Sequence, residues 1–214
     1  DNLMKILVLG DVMGPSGRNA LKKNLSKILE KNKIDFSVIN GENAANDGKG
    51  ITKEIAEEFF SLGIDVITSG NHIWDKKEIL KYIENEKRLL RPANMLSSLP
   101  GVGYNIFIKK QKKICVINLM TNYFMPKCND IFKTAKIILK KFILKKNVDY
   151  ILVDVHGEFA GEKMALGHLY DGKATLVFGT HTHIPSSDGM ILSKGTAYQT
   201  DLGMCGNYNS IIGL

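Results

Sequence analysis

The sequence predicts an α/β fold on two observations. Short apolar runs of strand character alternate with segments whose apolar residues recur at helical spacing, and five of the strand-like runs end in a polar residue able to hold a metal. The first run, Leu3 to Leu9, leads through Gly14-Pro15-Ser16-Gly17 into a helix with Leu21, Leu25, Ile28 and Leu29 on one face. A strand near 36–40 follows, then a glycine-containing loop and a helix from about Thr52 that turns Ile55, Ala56, Phe59 and Phe60 inward. After a strand at about 65–69, Asp75 and Glu78 stand at capping-box spacing and predict a third helix over about 75–86. Shorter strands are expected at about 105–108 and 113–118, with Gly101-Val102-Gly103 and the lysine-rich Lys109 to Lys113 as turns. A helix over about 130–145 places Phe132, Ala135, Ile138, Leu139 and Phe142 against the core. Runs at about 150–155, 174–179, 189–193 and 196–200 complete the strands. No linker, repeat or low-complexity segment interrupts the pattern, so 1–214 reads as a single domain.

Composition narrows the function classes. The chain has 214 residues, 44% of them hydrophobic, enough for one substantial core. It contains no apolar run long enough for a membrane span and no signal-peptide pattern. Cys115, Cys128 and Cys205 are odd in number and lack zinc-like spacing, which points to a reducing cytoplasm. The formal net charge is +7, yet Arg18, Arg88 and Arg91 are the only arginines. Lysine is the weaker residue for bidentate recognition, so the runs at Lys22 to Lys33, Lys109 to Lys113 and Lys140 to Lys146 read as a solvated surface compatible with small anionic substrates.

The five polar runs are Gly10-Asp11, Asn40-Gly41-Glu42-Asn43, Gly70-Asn71-His72, His156-Gly157 and Gly179-Thr180-His181-Thr182-His183. In open α/β sheets ligands gather at the carboxyl ends of strands. Asp11 and Glu42 offer anionic oxygen, Asn43 and Asn71 amide oxygen, and His156, His181 and His183 imidazole nitrogen. Two ions roughly 3.5–4 Å apart need such a set around a bridging carboxylate to drive in-line displacement at phosphorus. The mixture suits iron, manganese or zinc better than magnesium or calcium. If the Gly179–His183 run is extended, His181 and His183 face one site and Thr182 points away. Asn46, Asp47, Gly48 and Gly50 are candidates for the pocket wall, as Asn94 and Asn122 are for substrate contact. Glu158 and Glu162 are candidate partners for His156, and His168 stands apart from any strand end.

The order GD, NGEN, GNH, H and GTHTH resembles the calcineurin-like metallophosphoesterase superfamily, and its wording resembles the bacterial YmdB-like branch of cyclic-nucleotide phosphodiesterases. Arg91 to Asn94, Asn118 to Met120, Glu162 to Gly167, Gly195 to Tyr198 and Thr200 to Met204 are similar to that branch too, so the likeness runs over 4–214. It implies an αββα sandwich of two mixed sheets. It implies a first ion held by Asp11, Glu42, Asn43 and His183, and a second by Glu42, Asn71, His156 and His181, with Glu42 bridging. The superfamily's usual Asp-x-His is here Asp11-Val12-Met13 and its usual bridging Asp is Glu42. In the YmdB-like pattern the residue after the bridging Glu fills the vacant place. Related chains have Gly-Arg where Thr121-Asn122 stands, so an arginine contact to phosphate is not carried over. The family usually continues with further strands beyond Leu214, which this chain is expected to lack, and Asp1-Asn2-Leu3 before Met4 reads as a remnant or a trimmed natural terminus.

The expected activity is hydrolysis of a small cyclic nucleotide, such as a 2′,3′-cyclic nucleotide, by a hydroxide activated between two divalent or mixed-valence ions. His72, next to ligand Asn71, is left to act as general acid, a role the resemblance also implies, or else to orient phosphate. Asp75 either sets its tautomer or caps the third helix, and the cap is favoured. A phosphomonoesterase or nuclease with the same centre, and a slow-turnover nucleotide-binding regulator, remain open alternatives, as do RNA and a second copy of the chain as partners.

Overall fold

Alternation along a strand divides its side chains between two faces, and in this protein the two faces meet different neighbours. The computed structural model describes residues 3–213, so the expectations for Asp1-Asn2 and Leu214 lie outside it. In chain order the elements are β1 (Ile6–Val12), α1 (Gly14–Asn32), β2 (Phe36–Asn40), α2 (Lys53–Ser61), β3 (Val66–Thr68), α3 (Ile79–Asn85), β4 (Tyr104–Lys109), β5 (Lys112–Met120), α4 (Ile131–Lys141), β6 (Tyr150–His156), α5 (Ala160–Tyr170), β7 (Leu176–Thr180), β8 (Met190–Ile191), β9 (Ala197–Gln199) and β10 (Met204–Cys205). One sheet has the order β10-β1-β2-β3 and is parallel throughout. The other has the order β4-β5-β6-β7-β9-β8, with β4 and β8 antiparallel at its edges.

Three apolar layers hold the sandwich together. Leu21, Leu25, Ala56, Phe59, Ile79 and Ile83 from α1–α3 cover Ile39 and Ile67 on the first sheet. Ile131, Ala135, Ile138, Leu166 and Tyr170 from α4 and α5 cover Cys115, Val153 and Val177 on the second. Between the sheets, Phe36, Val38 and Val66 meet Ile114, Val116, Leu152 and Phe178. Each fully buried large apolar side chain contributes about 1.5–3 kcal/mol, and the result is the expected four-layer αββα sandwich, except that the first sheet is parallel rather than mixed.

The inner faces explain where the site lies. Phe36 and Val38 are followed at the same parity by Asn40, Val66 by Thr68, Leu152 by Asp154 and His156, and Phe178 by Thr180. The inter-sheet core therefore turns polar at the carboxyl ends of the strands, and all of these polar residues are buried. Asp11 reaches the same face through a register shift between Leu9 and Asp11 in the β1–β2 pairing. Ile6 and Val8 belong to the inter-sheet layer and Leu7 and Leu9 to the helix layer, but after the shift Val12 faces the helices. Such an irregularity reverses alternation and re-aims the next side chain. Glycine is required at position 10, since a Cβ there would lie 1.9 Å from the Gly203 carbonyl oxygen.

Local chemistry sets the helix ends. Pro15 occupies the first turn of α1, the Thr52 hydroxyl accepts from the Ile55 N–H, and the Asp130 carboxylate accepts from the Lys133 N–H. Four expectations need correction. Helix α3 starts at Ile79 rather than near Asp75, because the Asp75 carboxylate is committed to His72. Helix α4 ends at Lys141, where Phe142 turns extended. Ile28 is exposed at the rim of α1 rather than buried. Helix α5 and strand β10 were not anticipated: Gly161 and Gly167 weaken the helical signal of α5, and a two-residue strand carries no periodicity of its own.

Candidate metal centre

The carboxyl ends of β1, β2, β3, β6 and β7 bring all seven predicted donors together. Around His156 Nε2 lie Glu42 Oε1 at 2.8 Å, Asn71 Oδ1 at 3.1 Å and His181 Nδ1 at 3.1 Å. Around His183 Nε2 lie Asn43 Oδ1 at 3.3 Å and Asp11 Oδ1 at 4.0 Å. Donors about 2.1 Å from one ion stand about 3 Å apart when at right angles, so the group around His156 has the spacing of a coordination shell, and the group around His183 is more widely spaced. Asp11 Oδ1 is buried with no hydrogen-bond partner, an arrangement that a cation relieves. Gly70 leaves the room: a Cβ there would sit 2.1 Å from the His156 ring and 2.5 Å from the Glu42 carboxylate.

Neighbouring groups hold the donor atoms in the orientation a metal needs. The Asn43 amide nitrogen donates to the Gly48 carbonyl oxygen at 2.9 Å, which leaves its oxygen toward His183. His183 Nδ1 donates to the Ile212 carbonyl oxygen at 2.8 Å, so Nε2 keeps its lone pair. His156 Nδ1 is 2.9 Å from the Thr180 hydroxyl, which itself donates to Asp154 Oδ1 at 2.7 Å and therefore accepts from the imidazole. Asp154 also accepts from Thr68 Oγ1 and from the Asn40 amide. Sequence patterns did not single out this relay of Asp154, Thr180, Asn40 and Thr68. Its signal was present in the alternation, since Asp154 lies two residues before His156 on one strand face.

Two expected arrangements differ in detail. The 181–183 segment is not extended: His181 and His183 have φ of 101° and 66°, a left-handed conformation costly for residues with a Cβ. These bends, not strand alternation, send His181 and His183 to different donor groups. The segment is clamped by Lys163, whose ammonium is buried and donates to the Thr180 carbonyl oxygen at 2.7 Å and to Asp201 Oδ2 at 2.9 Å. The same Asp201 oxygen accepts from the Thr182 N–H. Glu158 and Glu162 do not serve His156. Glu158 Oε2 lies 3.4 Å from His181 Nε2, and Glu162 accepts from the backbone N–H groups of Asn122 and Tyr123.

Other candidates sort by their partners. Asn94 donates to the Met120 and Asn129 carbonyls, and the Asn122 oxygen accepts from the Ile131 N–H, so both brace loops instead of facing substrate. Asn46 is engaged by Arg18, whereas Asp47 and Gly48 line the cleft of about 230 Å³ over the centre, with Lys49, His72, Glu158 and His181. Gly50 packs under the His72 carbonyl. Met13, where the superfamily's Asp-x-His places a histidine, is buried against Gly206 and Gly213. His168 is exposed on α5.

Burial shapes the charges. It lifts Asp11 to about 6 against the pull of His156 and His183. His156 would be lowered by burial, but Glu42, Asp11 and Asp154 outweigh that and raise it to about 8. His181 falls to about 4 through burial and the nearby His156, so its lone pair is free at neutral pH. Without metal, His156 thus carries a proton on Nε2, held by Glu42, which an ion must displace. Loading at pH 7 is expected to release about one proton per chain from this position and to strengthen as pH rises toward 8, as metal titrations in weak buffer would record.

Paired sheets with helices outside and an imidazole–carboxylate–amide cluster at the strand ends define a metallophosphoesterase fold. Residues 7–214 match the family model described as YmdB-like protein. The chain is 44% identical to a 2′,3′-cyclic-nucleotide 2′-phosphodiesterase of Bacillus subtilis strain 168, over 99% of this chain and 79% of that protein. Its structure is similar to a phosphatase of Mycoplasma pneumoniae, with TM-score 0.91 and 39% identity over 99% of this chain and 76% of that one. A protein of Thermus thermophilus also aligns with TM-score 0.91, at 40% identity over 98% and 80% of the two chains. The chain belongs to the YmdB-like family.

Proposed function

We propose that this chain is a phosphodiesterase that opens nucleoside 2′,3′-cyclic phosphates at a centre of two metal ions, held as the donor groupings suggest, with Glu42 between them. The observation that carries the reading is the pair of donor sets with His72 poised beside them: its backbone N–H donates to Glu42 Oε2 at 2.9 Å, and its Nδ1 lies 2.8 Å from Asp75 Oδ2. The 44% identical relative acts on the same substrate class. Iron or manganese suits the nitrogen–oxygen donor set best, with zinc the third candidate. The three unpaired thiols fit a reducing cytoplasm.

When bound, the ions supply positive charge to the phosphoryl oxygens and make water a nucleophile at neutral pH. The protein's own groups do the rest. Asp11 and Glu42 set the charge of the centre, and the His72 peptide N–H keeps the Glu42 carboxylate turned inward. Asp75 accepts from Nδ1, fixing the ring so that Nε2 delivers its proton into the cleft. As the phosphorus–oxygen bond breaks, that proton goes to the departing ribose oxygen, leaving a phosphomonoester and a free hydroxyl.

His72→Ala is expected to keep the metal content and lower turnover by about 10²- to 10⁴-fold. The loss should shrink for diesters with acidic leaving groups, which depart without a proton. An equal loss for activated and unactivated diesters would replace proton donation by mere positioning. A metal-replete comparison of 2′,3′-cyclic, 3′,5′-cyclic and linear diesters, with the product's phosphate position identified, tests the substrate class. Exclusive turnover of phosphomonoesters would overturn it.

A further inference from the structure

Next along the chain from the cleft wall, three aromatic side chains are exposed. Phe159 follows directly on Glu158, a residue of the cleft wall, and is 44% exposed; Tyr123 and Phe124 are 63% and 82% exposed. The Tyr123 and Phe159 ring centroids are 5.6 Å apart and those of Phe124 and Phe159 are 6.4 Å apart, both pairs edge to face. Exposed aromatic clusters of this kind mark binding surfaces.

The backbone beneath them is held in place. Glu162, itself buried, accepts from the N–H groups of Asn122 and Tyr123 at distances between 2.9 and 3.1 Å. Thr121, at the start of the same loop, donates its N–H to the His156 carbonyl oxygen at 2.9 Å. Gly161 lets the Phe159 ring lie on the first turn of α5, since a Cβ there would come within 2.9 Å of the ring. Phe124 has a left-handed φ of 62°, unfavourable for an aromatic residue, so the loop turns this ring outward at a conformational cost. The patch is tied by one hydrogen bond to the strand end that carries His156, and by one peptide unit to Glu158 at 3.4 Å from His181.

We propose that Tyr123, Phe124 and Phe159 form a stacking site for the nucleobase of the substrate, an inference that rests on the phosphodiesterase reading above. A base offers a flat π-face, and aromatic side chains bind it with little regard to its identity. Anchoring phosphate at the donor cluster and base on the rings makes the site select nucleotides over simple phosphodiesters while tolerating different bases. A second copy of the chain is the competing occupant. The direct connection to the cleft wall through Glu158 and Phe159 favours the base.

The test uses metal-loaded protein with Phe159→Ala and, separately, Phe124→Ala. Titration with a nucleoside 3′-monophosphate and with inorganic phosphate gives affinities that do not depend on turnover. For each variant, nucleotide affinity is expected to fall by about 5- to 100-fold with phosphate affinity unchanged, and the KM for a nucleoside 2′,3′-cyclic phosphate is expected to rise with kcat nearly constant. Unchanged nucleotide affinity, or equal losses for nucleotide and phosphate, overturns the stacking site. A changed sedimentation coefficient with unchanged nucleotide affinity also overturns it and assigns the patch to self-association. Wild-type protein that binds nucleotide through these rings but hydrolyses no cyclic diester leaves the base site standing and sinks the phosphodiesterase reading instead.

Discussion

Glu42→Ala is expected to lower kcat/KM by at least about 10³-fold and, with Glu42 bridging as proposed, to lose metal from both positions. Its Oε1 lies 2.8 Å from His156 Nε2, and its Oε2 accepts the His72 N–H at 2.9 Å. Removing preorganised charge from a centre that offsets developing charge typically costs about 10²- to 10³-fold, and loss of the ions adds to that. Asn71→Ala should instead weaken one ion selectively, since Asn71 meets only the His156 group. Elemental analysis after exhaustive dialysis distinguishes the two substitutions. Equal metal content in Glu42→Ala and wild type would remove Glu42 from the bridging role.

Lys163→Met is expected to have the largest effect on stability of any single change outside the donor set. Lys163 and Asp201 are about 1% and 3% exposed, so the substitution leaves a carboxylate buried without its cation. Breaking such a pair from one side costs about 3–5 kcal/mol, roughly 10 °C in Tm for a chain of this size. The substitution should also loosen the His181–His183 turn, whose Thr180 carbonyl and Thr182 N–H are both anchored by the pair. Lys163→Met combined with Asp201→Asn removes both charges, and the single amide oxygen that remains can still accept from one of the Thr182 and Gly203 N–H groups. The double variant should therefore melt above the single one. A double variant no more stable than Lys163→Met would show that the uncompensated carboxylate is not the cause.

The fold and the donor set were legible for a common reason: both follow from short-range patterns. Strand parity assigns Val38 and Asn40, or Leu152, Asp154 and His156, to one face, and a polar residue ending an apolar run marks the carboxyl end of a sheet. What escaped the sequence depends on pairings between distant segments. The shift that re-aims Asp11 falls at Gly10, where the Gly203 carbonyl from far along the chain leaves no room for a Cβ. The left-handed turns at His181 and His183 depend on Lys163, well before them in the chain, and on Asp201, well after them. Asp75 read as a helix cap from its spacing to Glu78, and only the placement of His72 at the cleft makes it the histidine's partner instead. Glu162 looked like a histidine partner because it is near His156 in sequence, yet its carboxylate is used up by the Asn122–Tyr123 backbone.

Anomalous diffraction from manganese-loaded crystals locates any ions held by the seven donors. Two peaks are expected roughly 3.5–4 Å apart, one among Asp11, Asn43 and His183, the other among Asn71, His156 and His181, each in contact with Glu42. A single peak at saturating manganese, or two peaks without Glu42 between them, would contradict the proposed two-ion centre.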